Sequence, residues 1–315
     1  MNASLADEAR LPQIWRLHLK SAAEKGCDPG EFCIQTGVVG FGWPVEPDED
    51  DLPWDAYYSR AKAKYLDTGE SVGWTAAANG IKAMRHRDLC WTRTESGKYW
   101  LGRIVGEWRY RNGPEFRRAD VLNVRACEWS CVGDVHEVPG KIINSLRASR
   151  TLQRVEGDDI RLFSMFSSNA LHAGNSYDLP GTDCDLFNLL SPEDCEDLVG
   201  IFLQSEGYIL FPGTCRADSK QFEFILRHRE TGRYAAAQVK QGDAVICDQN
   251  YCQFDGDVFV FQTNGNYIGP VATNVRRLTA GEMRDFCESN RHVLPARVQG
   301  WMAITERLRH PVMTR

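Results

Sequence analysis

The chain has 315 residues, 43% of them apolar and 25% charged, with a net charge of −6. That is the composition of an ordinary globular protein long enough for two domains. No apolar run approaches the roughly 18 residues needed to cross a bilayer, and residues 1–8 have neither a basic start nor an apolar core, so a cytoplasmic protein without membrane contact is expected.

The eleven cysteines are scattered and form no CxxC pair. This argues against a zinc ribbon and, with no export signal, against a disulfide framework.

In chain order, residues 14–19 alternate like a half-buried strand, and residues 37–44 form a glycine-broken strand stopped by Pro44. Helices are expected at 54–65 and 71–85. Strands follow at 88–93, 98–104 and 121–125, the first two joined by the turn Thr94-Glu95-Ser96-Gly97. Short strands around apolar side chains predict an α+β first domain over 1–145, built on a small barrel.

Leu152, Val155, Ile160, Leu162, Phe163 and Phe166 recur at near-helical spacing and predict a helix over 147–168. The Gly-, Pro-, Asn- and Ser-rich run that follows completes a connector over 146–182.

Residues 183–315 read as a second domain. Ser191-Pro192-Glu193-Asp194 is a helix start, and Leu198, Ile201 and Phe202 supply the apolar stripe. Gly207 ends that helix. A strand at 208–211, a hairpin at 222–240, strands at 244–246 and 258–261 and helices at 279–287 and 294–308 follow. This order predicts an α/β domain with a central mixed sheet.

The hairpin carries the chemistry. With an even-length loop at Glu230-Thr231-Gly232-Arg233, Glu223 lies opposite Lys240, and Gln238 shares their face. A three-residue loop would move Glu223 to the other face. A carboxylate, an amide oxygen and an ammonium at one end of an apolar hairpin suit a hard metal ion and an activated water. By itself the pair is no more than an exposed ion pair, worth about 0–1 kcal/mol.

With Glu196 on the preceding helix and the Gly207-Tyr208 step into the next strand, residues 185–262 resemble the Mrr-like branch of the PD-(D/E)xK restriction-endonuclease superfamily. The resemblance implies a restriction-endonuclease-like fold. It also implies Mg²⁺ (or Mn²⁺) held by Glu223, Gln238 and the Val239 carbonyl, with Lys240 orienting the water and Glu196 completing the catalytic set. The strand acid of this branch is usually an aspartate, which leaves Asp218 as an alternative to Glu223 for the metal.

Eight of the nine tryptophans precede residue 130, and residues 82–125 hold 11 Lys/Arg against 5 Asp/Glu, a local net of +6. Such a face suits a polyanion. Aromatic rings can hold a base while arginines hold the backbone, although a single tryptophan is more often core.

Gly40-Phe41-Gly42-Trp43-Pro44, the helix after it, the run 84–91 and Gly102-Arg103-Ile104-Val105-Gly106 resemble the PUA superfamily near the EVE and YTH families. The resemblance implies a modified base in an aromatic cage, with Trp43 and Trp91 as walls and Asp88 as a base-edge acceptor. Arg87 and Trp100 join this nucleic-acid-binding set.

Together the two resemblances imply a modification-dependent restriction-type endonuclease in anti-phage defence. It would act on double-stranded DNA with modified bases, as a homodimer with one site per strand. The alternative is a non-catalytic nucleic-acid-binding or sensor protein with a degenerate nuclease fold.

Overall fold

Strand pairing divides the chain into two units, residues 1–181 and 182–315. The computed structural model describes residues 10–19, 23–46, 49–69, 73–147, 150–172, 177–179, 184–215 and 221–309. Both units are α+β, each built on a mixed sheet.

The first unit contains β1 (Ile14–Leu17), α1 (Pro29–Thr36), β2 (Val38–Phe41) and α2 (Trp54–Ala61), which continues into a π turn at Lys62–Leu66. Next come α3 (Gly73–Ala83), β3 (Leu89–Arg93), β4 (Tyr99–Tyr110), α4 (Pro114–Arg118) and β5 (Asn123–Gly133). The unit ends with α5 (Gly140–Arg147), β6 (Leu152–Arg154) and α6 (Asp158–Leu171).

The strands form one sheet in the order β2-β5-β4-β3-β1-β6. Neighbours are antiparallel except β1 and β3, which run parallel. Among the described residues the end strands β2 and β6 do not pair, so the sheet is open and not the closed small barrel expected from the sequence.

The register of β4 against β5 slips between Ile104 and Trp108. Such an irregularity bends a strand and increases its twist. One core gathers Trp15, Leu17, Phe41, Ile81, Met84 and Ile104. A second, aromatic core gathers Tyr57, Trp74 and Tyr110.

The helix expected over 147–168 is shorter than the apolar spacing indicates. Leu152–Arg154 pairs with β1 as a strand, and Gly157 at φ +127° breaks the chain direction before α6 begins. Asp158 and Asp159 lie in the first turn of α6, where carboxylates face the positive end of the helix dipole. This helix is part of the first unit: Ser164 on it receives the Trp91 indole N–H at 3.0 Å.

The second unit contains α7 (Leu186–Leu189), α8 (Pro192–Ser205), β7 (Tyr208–Leu210), β8 (Phe224–His228), β9 (Tyr234–Lys240), β10 (Ile246–Cys247), β11 (Asp257–Gln262), β12 (Tyr267–Ile268), β13 (Val275–Leu278), α9 (Ala280–Ser289) and α10 (Ala296–Arg309). Its five-stranded sheet runs β13-β11-β9-β8-β7. The pairs β7/β8 and β8/β9 are antiparallel, and β9/β11 and β11/β13 are parallel. This is the central mixed sheet expected from the sequence.

Helix α8 begins with a capping box. The Ser191 hydroxyl accepts from the Asp194 N–H, and the Asp194 carboxylate accepts from the Ser191 N–H. Pro192 occupies its first turn, where a missing N–H costs nothing. The helix packs over β7 and β9. The run Ala235-Ala236-Ala237 in β9 is fully buried.

Between β9 and β11 the backbone approaches closely at Gly256, where a Cβ would lie 2.3 Å from the Tyr234 carbonyl oxygen. Gly256→Ala must therefore displace main chain at the end of the central strand pair. We expect a loss of about 1–3 kcal/mol in urea unfolding of the second unit; an unchanged midpoint would show that the strand end yields freely.

Candidate active site

The hairpin keeps the face expected for the site but not the expected partner. Phe224 lies opposite Ala237 and Arg227 opposite Tyr234, and the Glu223 N–H donates to the Ala237 carbonyl at 2.9 Å. The register is displaced by two residues from the expected one, so Glu223 faces Gln238 directly and Lys240 diagonally. Because side chains alternate with a period of two, a shift of two preserves the face.

Lys240 Nζ still reaches Glu223 Oε1 at 3.1 Å. Gln238 Nε2 donates to the same oxygen and, at 3.3 Å, to the Val239 carbonyl. Gln238 is only 2% exposed, so its amide needs these partners. It presents its nitrogen to Glu223, where an amide oxygen was expected. The Glu223 and Lys240 side chains are 22% and 44% exposed.

Helix α8 supplies the second wall. Glu193, Glu196, Asp197 and Gly200 recur at helical spacing and so share one face. They line a cleft of about 410 Å³ together with Cys215 and Glu223. Burial raises the Glu196 carboxyl to about 7, the negative charges of Glu223 and Glu193 add to the rise, and Lys240 partly offsets it.

The Cys215 thiol is also pushed up, by burial and by Asp197 and Glu196, so it is not poised as a thiolate nucleophile. Glu193, Asp197 and Cys215 were not singled out from sequence. The first two could have been found by reading positions three before and one after Glu196 on the same helix. Asp218 lies outside the described residues.

The residues expected to form a base-binding cage in the first unit do not assemble. Trp91 is fully buried and stacks on Phe163 at 6.2 Å, so it is a core residue and not a cage wall. Trp43 is half-buried, has φ +62° and meets Phe41 edge to face at 5.2 Å. Trp100 is half-buried with its indole nitrogen shielded.

Arg87, at φ +68°, lays its guanidinium over the Tyr177 ring, and its carbonyl accepts the Tyr177 hydroxyl at 2.7 Å. Asp88 is 1% exposed. Its Oδ1 accepts from Arg10 and the Gln13 N–H, and its Oδ2 from the Trp15 indole and the Arg85 N–H. With two donors on each oxygen it has no capacity left for a base edge; the expected acceptor is a structural anchor.

No protein-family model, curated protein or solved structure matches the chain.

Among the described residues, no three His, Cys, Asp or Glu side chains are grouped to hold a metal. Mg²⁺ does not require such a cage: it takes one or two carboxylates and keeps waters and substrate phosphates for the rest. Glu196 and Glu223, on the two sides of one cleft, fit that donor set, with the Gln238 amide and Val239 carbonyl beside them.

Stability should carry the signature of Glu196. Its folded carboxyl titrates near 7 against the ordinary value of 4.5. Between these values the folded state binds more protons than the unfolded state, so this group's contribution falls as pH rises from about 4.5 to 7. Urea midpoints measured without metal should lose part of their decline across that window in Glu196→Gln. Identical pH dependence in both proteins would contradict the raised value.

Proposed function

We propose that the second unit is a divalent-metal-dependent phosphodiester hydrolase acting on nucleic acid, with Glu196, Glu223, Gln238 and Lys240 as its active site. The observation that carries this reading is the convergence of Lys240 and Gln238 on one oxygen of Glu223, beside a cleft whose opposite wall is Glu196.

Glu223 and Glu196 would hold Mg²⁺ or Mn²⁺, which supplies phosphate polarisation and a more acidic water when bound. Lys240, exposed at the end of β9, places its ammonium where it can offset charge building on the phosphoryl oxygens and orient the attacking water. Gln238 fixes the Glu223 carboxylate from the buried side.

The wider assignment is an endonuclease of the modification-dependent restriction type. It is supported by the basic surplus over residues 82–125, which suits DNA, and by the need for two sites to cut both strands, which favours a homodimer. The test is incubation of the full chain with supercoiled DNA, plain and base-modified, in Mg²⁺ and in Mn²⁺, scoring nicked and linear products.

One observation favours the second reading, a nucleic-acid-binding or sensor protein with a degenerate nuclease fold. Gln238 stands where a second strand acid would bind metal, and its amide nitrogen faces Glu223. Binding of DNA with no cleavage under any of these conditions would select it.

A further inference from the structure

A separate cleft, of about 470 Å³, opens in the first unit where the C-terminus of α3 meets the irregular part of β4. Its volume lies in the range of small-molecule sites. Two indoles stand in its wall: Trp54 from α2 and Trp108 from β4, edge to face with centroids 4.9 Å apart. Both are half-buried. The Trp108 indole nitrogen is shielded from water and has no hydrogen-bond partner among the described residues.

Four Lys/Arg side chains line the cleft against two carboxylates, Asp51 and Glu107. Arg125 is committed already. It donates to the carbonyls of Ile81 and Gly106 at 2.8 and 3.1 Å and contacts Glu107 at 3.3 Å. Lys82, Arg85 and Arg109 are exposed on the rim. Lys82 Nζ rests over the Trp54 ring at 4.8 Å from its centroid. The guanidinium groups of Arg85 and Arg109 have no carboxylate partner among the described residues.

We infer that this cleft binds a nucleotide, with the heterocycle against Trp54 and Trp108 and the phosphate among Lys82, Arg85 and Arg109. A simple anion would not need the indole pair, and an uncharged aromatic would leave the surplus of cations over carboxylates in the cleft wall uncompensated. A nucleotide uses both. Its ring offers a π face for stacking on the indoles, while its phosphate draws Lys82 off the Trp54 ring. The inference does not depend on the chemistry of the second unit.

Isothermal titration of the full chain with the four nucleoside 5′-monophosphates tests it, with the matching nucleosides and inorganic phosphate as part-probes. At least one nucleotide should bind with a dissociation constant below about 1 mM, and at least roughly tenfold more tightly than its nucleoside or phosphate. Lys82→Glu and Arg109→Glu should each weaken it by roughly tenfold or more. Both side chains are exposed, so neither change endangers the fold. Trp54→Ala should weaken binding by roughly fivefold to a hundredfold, and Arg118→Glu, outside the cleft, should leave it unchanged.

The inference is overturned if no nucleotide binds below that limit, if inorganic phosphate binds as tightly, or if the two charge reversals have no effect. Loss of DNA cleavage with nucleotide binding intact would count against the hydrolase reading alone.

Discussion

Lys240→Ala is expected to reduce metal-dependent cleavage at least about a hundredfold, the scale on which enzymes lose rate when a single preorganised electrostatic group is removed. The side chain is well placed for such a test because it contributes little to the fold. Its side chain is 44% exposed, and its partner Glu223 is also partly exposed. A pair of this kind is worth about 0–1 kcal/mol. The variant should therefore unfold at nearly the parent midpoint and bind DNA nearly as well, so that lost cleavage cannot be attributed to lost structure.

The neighbourhood sharpens the expectation. Lys240 lowers the Glu196 carboxyl that burial and Glu223 raise, so removing it leaves two carboxylates facing each other with less compensation. Lys240→Arg keeps the charge but replaces a compact ammonium with a planar fork, and should retain part of the rate. Cleavage by Lys240→Ala at the parent rate, in both Mg²⁺ and Mn²⁺, would remove Lys240 from the mechanism.

The site was legible as far as local pattern reaches. Ser191-Pro192-Glu193-Asp194 announces α8 because a cap and a proline act within a single turn. The period-two alternation of the hairpin fixes which residues share a face, whatever the loop does, provided its parity holds. The pairing itself was not legible. The connection over 228–233 is organised by side-chain contacts to the turn: the Thr231 N–H donates to His228 Nδ1, and Arg227 Nε donates to the Gly232 carbonyl. These contacts draw the strands into the observed register and set Gln238, not Lys240, across from Glu223.

In the first unit the misreadings share a different cause. Whether a tryptophan is wall or core depends on what comes to cover it. Trp91 is covered by α6, whose Ser164 lies 73 residues away in sequence. The apolar spacing that predicted this helix did not show where it would pack. In the same way, the closure of a sheet is decided by the pairing of its end strands, and no local signal shows that β6 joins β1 at one edge while β2 holds the other.

Asp88→Ala should be among the most destabilising single changes in the first unit, costing about 3–5 kcal/mol. The carboxylate gathers four donors from two chain segments: Arg10, the Gln13 N–H and the Trp15 indole on one side, and the Arg85 N–H on the other. It thereby holds the approach to β1 against the loop that enters β3. Alanine leaves the Trp15 N–H and two backbone N–H groups without an acceptor and the Arg10 guanidinium without its counter-ion, and a buried donor left unmade costs more than the bond contributed.

Asparagine is nearly isosteric but offers one acceptor oxygen and points an NH₂ group at two donors. Asp88→Asn should therefore recover little of the loss, whereas Arg10→Ala, whose side chain is 30% exposed, should cost much less. Urea unfolding followed by tryptophan fluorescence reports mainly on the first unit, which holds eight of the nine tryptophans, and gives these costs directly. The two roles considered for Asp88 predict opposite results: a base-edge acceptor replaced by asparagine would keep its unfolding midpoint and change its base preference. A four-donor anchor would lose its midpoint first, and with it the packing of Trp15 against the core that supports β1.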